Sequence, residues 1–193
     1  MSGGETAMPA DGRRSPRRWG VSTIALHWLS AVLVIVLLAL GWFMVHGDIE
    51  ASTKFDLYQL HKSLGFLSLA LLLLRFGARL AERAPPAPPG MGEWERRLAG
   101  LAHAALYALL LIAALSGWLR VSSAIIPIPT RFFDLFVIPN LVGVDGALSD
   151  DMALLHYVVS RLLIGLLVLH VAAAVKHHLI DRDDVLVRML PMP

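Results

Sequence analysis

With 193 residues, a formal charge of +2 and 56% hydrophobic against 17% charged residues, the chain has too little polar surface for a soluble domain, where about 45–50% and about 25% are usual. The small net charge gives no reason to expect nucleic acid as a partner. The absence of cysteine excludes disulfides, thiolate-held iron–sulfur clusters and C-x-x-C-H haem attachment. What remains is one membrane-embedded bundle in which any cofactor rests on histidine, methionine or oxygen ligands.

Residues 1–18 set Arg13, Arg14, Arg17 and Arg18 among Gly, Pro and Ser and are expected to form a disordered tail. Residues 23–45 are apolar apart from Thr23, His27 and Ser30; at ~1.5 Å per residue they span a ~30 Å hydrocarbon layer. A second helix is predicted over 57–80, interrupted by His61, Lys62, Arg75 and Arg79. The prolines of APPAPPGMG, residues 84–92, end it.

The third predicted helix, 98–121, carries His103 and Tyr107. Between Ser122 and Asp151, Pro127, Pro129 and Pro139 alternate with Phe132, Phe133, Phe136 and polar residues, which reads as an ordered surface loop lying partly on the membrane interface. The fourth helix, 152–180, holds His156, Arg161, His170, Lys176, His177 and His178. The expected organisation is therefore a tail over 1–18, a four-helix transmembrane domain over 19–184 and a polar tail over 185–193.

Orientation follows from basic residues in the short connections. The first tail, the second-to-third loop with Arg79, Arg83, Arg96 and Arg97, and the last tail with Arg182 and Arg188 are basic. The other two loops offer Lys54, Arg120 and Arg131. Both termini are expected on the cytoplasmic side.

This topology sorts the histidines by depth. His27 and His170 lie near the cytoplasmic ends of their helices, and His61 and His156 near the opposite ends. His156 and His170 are 14 residues apart, ~21 Å of rise and ~1400° of rotation, within roughly 40° of one face. One helix thus presents two imidazoles inward at two depths. Intramembrane ionisable residues are functional candidates by default, imidazole is a natural haem ligand, and bundles build cofactor sites from facing helices. Two facing imidazoles fill both axial positions of a haem iron and leave it to pass electrons. His103 lies about as deep as His27, so depth leaves it open as a cytoplasmic-side ligand. Arg75, Arg79 and Arg161 are candidate partners for haem propionates, since arginine binds carboxylates bidentately; for Arg75 and Arg79, snorkelling to the interface is the competing role.

The segments ALHWLSA around His27, YQLHKSLG around His61 with LLLLRFGARL after it, HAALY at His103, SGWLRVSSA, and LLHYVVSRLLIGLLVLHVAAAVKHHLIDRDDVLVRMLP resemble the bacterial cytochrome b561 family. They are spread along nearly the whole chain after Arg18. The resemblance implies an all-α four-helix bundle of the bacterial inner membrane enclosing two b haems, with His27, His61, His156 and His170 as bis-histidine iron ligands. It also implies an oxidoreductase similar to one that oxidises superoxide on the periplasmic side and reduces ubiquinone. His177 and His178, with Lys176 nearby, are the candidates to hydrogen-bond the quinone. The wider family implies an alternative, an electron-transfer subunit linking a periplasmic dehydrogenase or hydrogenase partner to the quinone pool.

Overall fold

The computed structural model describes residues 18–88 and 90–191. Four helices carry the fold: α1 Val21–His46, α2 Ala51–Ala81, α3 Glu93–Ser123 and α4 Gly146–Lys176. All four are long and apolar enough to cross a membrane. Hydropathy marks only their apolar middles, which is why α2 begins six residues and α3 five residues before the predicted bounds. A 31-residue helix is ~46 Å long and overshoots a ~30 Å hydrocarbon layer, so its polar turns belong to the interface.

Local chemistry sets the ends. Asp145 accepts from Leu148 N at 3.1 Å and caps α4, and Glu95 accepts from Gly92 N at 3.2 Å at the start of α3. Glu82, just past α2, takes both Gly20 N and the Thr23 hydroxyl, capping α1 from a neighbouring helix. α4 ends four residues before the predicted bound, and His177–Asp181 continue it as a π-helical turn.

α1 packs on α2, α3 on α4, and α2 on α3. The buried residues are few and often small and polar: Ser30, Ser63, Ser116, Ser122 and Ser123 are buried, as are Ile24, Val34, Met44, Leu72, Val159 and Leu163. Small hydroxyl residues let membrane helices approach closely and return their protons to the backbone. Ser30, for example, donates to Leu26 O at 2.7 Å. The large aliphatic side chains mostly face outward, toward lipid.

The bundle has two distinct ends. At the loop end, α1 joins α2, and the α3–α4 connection contains an antiparallel hairpin, β1 Thr130–Phe132 with β2 Phe136–Ile138. At the terminal end, residues 182–191 fold back instead of trailing away as a tail. Arg18 donates to Leu190 O at 2.6 Å, Trp28 Nε1 to Met189 O at 2.6 Å, and Arg188 reaches Pro86 O. The predicted disordered tail lies outside the described residues except for Arg18, which belongs to this clasp.

Candidate functional site

Histidines from all four helices gather at the two ends of the bundle. At the loop end, His61 of α2 faces His156 of α4, ring centroids 6.3 Å apart and planes 81° apart. His156 Nδ1 donates to Ala113 O at 2.9 Å and lies 3.3 Å from Ser116 Oγ, which fixes the ring against α3 and leaves Nε2 as the free nitrogen. His61 Nδ1 is buried without a hydrogen-bond partner among the described residues. Glycines make room: a Cβ on Gly41 would stand 3.5 Å from the His61 ring, and one on Gly117 would stand 3.3 Å from His156.

A cavity of about 600 Å³ surrounds this pair. Gly65 opens onto it, with nothing within 4 Å of where its Cβ would lie. Lys62, Arg120 and Arg161 line its polar parts, and Arg161 lies over the Tyr157 ring at 4.9 Å.

At the terminal end, His27 of α1 faces His170 of α4 at 6.4 Å with planes at 62°. His103 of α3 also approaches His170, at 5.2 Å and nearly perpendicular, and its Nδ1 donates to Ala99 O at 2.6 Å. Arg75 lies with Nη2 2.7 Å from His27 Nδ1 and its guanidinium 5.3 Å from the Tyr107 ring centre. Arg79 instead lies over Trp19 at 4.1 Å.

Two imidazoles bound to one metal by bonds of about 2.0–2.1 Å have ring centres about 6.3 Å apart. Both facing pairs stand at that separation. With the orphaned His61 nitrogen and the open Gly65 wall, the loop-end residues fit a flat, metal-centred cofactor. The terminal-end pair fits the same spacing, although a metal on His27 Nε2 would put a proton on Nδ1, and Arg75 would have to turn to another acceptor.

The family model for prokaryotic cytochrome b561 matches residues 18–192. The chain belongs to the prokaryotic cytochrome b561 family. It is 36% identical over 176 residues to cytochrome b561 homolog 2 of Escherichia coli K12, covering 91% of this chain and 93% of the relative. It is 26% identical over 179 residues to the probable superoxide oxidase CybB of Yersinia pestis, covering 91% and 97%. Cytochrome b561 homolog 1 of E. coli K12 is 26% identical over 191 residues, covering 90% and 97%. Membership makes this protein a membrane cytochrome b with b-type haem as its cofactor and electron transfer as its chemistry.

His177 and His178 separate. His177 Nδ1 lies 2.6 Å from Asp183 and 3.2 Å from Asp181, so its nearest partners are carboxylates that follow it in the chain. Lys176 pairs with Asp181 at 2.6 Å and with Glu95 at 3.6 Å, and His178 is exposed. His46 stacks on Trp42 at 5.0 Å at the rim of the loop-end cavity. Sequence reasoning missed Ala113, Ser116 and Gln59. Of these, only Ser116 carried a signal, as a hydroxyl inside an apolar helix.

Proposed function

We propose that this cytochrome holds two bis-histidine b haems and carries electrons across the bacterial inner membrane from periplasmic superoxide to ubiquinone. The observation that carries the reading is the pair of histidine separations, 6.3 Å and 6.4 Å, with α4 contributing one imidazole to each. Both termini lie on the cytoplasmic side in this reading, because Arg18, Arg79, Arg83, Arg96, Arg97, Arg182 and Arg188 crowd the terminal end. His61 and His156 then form the periplasmic site, and His27 and His170 the cytoplasmic one. His103, at 5.2 Å from His170, is about an ångström too close to share an iron with it and is read as a neighbour of the site.

Haem b bound at each pair supplies one-electron redox chemistry. The residues do the rest. His61 with His156, and His27 with His170, would each hold one haem, and a centre held by two imidazoles would be suited to electron transfer. The His156 Nδ1–H bond to Ala113 O orients that ring and raises its basicity as a ligand. Arg75, Arg79 and Arg161 are the proposed partners of the propionate carboxylates. The ~21 Å rise between His156 and His170 sets the scale of the transmembrane step.

Superoxide is a small anion, and Lys62, Arg120 and Arg161 around the loop-end cavity favour its approach. Each superoxide oxidised to dioxygen releases one electron, so two turnovers and two cytoplasmic protons make one ubiquinol. His177 and His178 are the proposed hydrogen-bonding and proton-supplying groups for the quinone. The resemblance to a probable superoxide oxidase supports the choice of donor.

Stopped-flow mixing of the oxidised protein with superoxide, followed by a ubiquinone analogue, tests this. Haem reduction and then reoxidation, each faster than the uncatalysed reaction, is the expected result. Haems that superoxide does not reduce would instead favour a membrane subunit serving a soluble redox protein.

A further inference from the structure

The hairpin at the loop end has a definite depth. Ser63 Oγ accepts from Phe133 N at 3.0 Å and lies 2.9 Å from Arg131 O, to which it donates. One turn earlier, Gln59 donates to Pro129 O at 3.0 Å and accepts from Arg131 N at 3.4 Å. The hairpin is therefore strapped along α2 and does not project beyond it. Ser63 immediately precedes Leu64–Leu74, apolar apart from Ser68, so the turn lies beside the start of the stretch apolar enough to enter hydrocarbon.

The turn is closed by Leu135 N donating to Phe132 O at 2.9 Å. Phe133 and Asp134 both adopt positive φ, 48° and 59°, the left-handed pair that matches strand twist but is normally filled by Asn or Gly. A bulky Phe at such a position is held there by contacts: Phe132 packs on Phe133 at 4.8 Å and stacks on Phe136 at 5.1 Å.

The hairpin nevertheless exposes apolar side chains, Leu135 by 77%, Val137 by 58% and Phe136 by 57%. These continue, at the same level, the outward-facing apolar surface that α2 presents through residues such as Leu60. An exposed ion pair, Arg131 with Asp134 at 3.1 Å, sits beside them. Aromatic and aliphatic groups next to a solvated ion pair, at the depth where a spanning helix enters hydrocarbon, match the boundary between headgroups and acyl chains.

We propose that the 130–138 hairpin is an interfacial membrane anchor, with Leu135, Phe136 and Val137 resting at the headgroup–acyl boundary and Arg131 and Asp134 at headgroup level. Its occupant is lipid. Ile126 and Ile128, which lead into the hairpin, line the loop-end cavity. Lipid contact therefore steadies one wall of that site.

The chain contains no cysteine, so Leu135→Cys and, separately, Val137→Cys introduce unique thiols at exposed positions. Each is labelled with an environment-sensitive fluorophore in phosphatidylcholine nanodiscs, with Asp48→Cys in the α1–α2 connection as the aqueous control. Unchanged haem content checks that the variants fold. Nitroxide lipids should quench the hairpin labels about threefold more than the control, and aqueous iodide should quench them correspondingly less. If iodide quenches all three labels equally and the nitroxide lipids do not distinguish them, the hairpin stands clear of the bilayer, its apolar face is free for a protein partner, and the proposal is overturned.

Discussion

His156 on α4 and Ala113 on α3 are joined by a 2.9 Å hydrogen bond from the imidazole Nδ1 to the backbone carbonyl. The bond explains why α3, which supplies neither member of the two facing pairs, shapes the loop-end site. Helix α3 can come this close because residue 117 has no side chain: a Cβ there would press on the ring at 3.3 Å.

Gly117→Val should therefore displace the His156 ring. Overpacking at a tight contact costs about 1–3 kcal/mol, enough to empty a site that depends on ring position. Haem content should fall by about half, with the terminal-end site retained. A pyridine haemochrome assay on the purified variant reads this directly.

Arg75 is the basic residue nearest the His27–His170 pair, with Nη2 2.7 Å from His27. A positive charge beside an iron centre favours its reduced form, so Arg75→Gln should lower the midpoint potential of that haem, by tens of millivolts on a scale where a tenfold change in a one-electron equilibrium is about 59 mV. Arg75→Lys should recover part of the shift. Spectroelectrochemical titration of the two haems separates this from any change at the loop end.

Ser63 is 2% exposed and serves Gln59, Arg131 and Phe133 at once. Ser63→Ala leaves the Phe133 amide without its acceptor, at a cost of about 1–3 kcal/mol. Hydrogen exchange over residues 130–138 should quicken while α1 and α4 stay protected. Uniform loosening of the whole bundle would contradict a local strap.

Glu82 joins the end of α2 to the start of α1 by accepting from Gly20 N and the Thr23 hydroxyl. Glu82→Ala removes both acceptors, and loss of a helix cap of this kind costs about 0.5–2 kcal/mol. Thermal unfolding in detergent should begin at a lower temperature. The loop-end haem absorption should be unaffected below that temperature.

How much of this was legible in the sequence depends on the range of the interaction. The four helices were, because about twenty apolar residues in a row have one economical structure in a bilayer. The two depths at which His27 and His170, and His61 and His156, face each other were also legible, since helix rise converts sequence position into depth, but depth left His103 open beside His27. The helix ends were not: the largely polar stretches Ala51–Asp56 and Glu93–Arg97 carry no hydropathy signal yet continue α2 and α3 into the interface. Nor was the approach of His103 to His170, which depends on the rotation of α3 as well as its depth. The clasp of Arg18 on Leu190 joins residues 172 positions apart through a side chain and a carbonyl, and no periodicity announces such a contact. Charge runs suggested that both 1–18 and 185–193 were tails. The burial of Arg188 beside Asp184 and Pro86 shows that a basic residue near a terminus can be an anchor.

Two imidazole pairs are proposed to hold two haems. The measurement that tests it most directly is haem per polypeptide, from pyridine haemochrome absorbance and amino-acid analysis of the same sample, for the natural chain and for His61→Ala and His27→Ala. Two haems for the natural chain and one for each variant, with different visible spectra for the two residual haems, is the predicted result. A natural chain holding a single haem, or variants that both retain two, would contradict it.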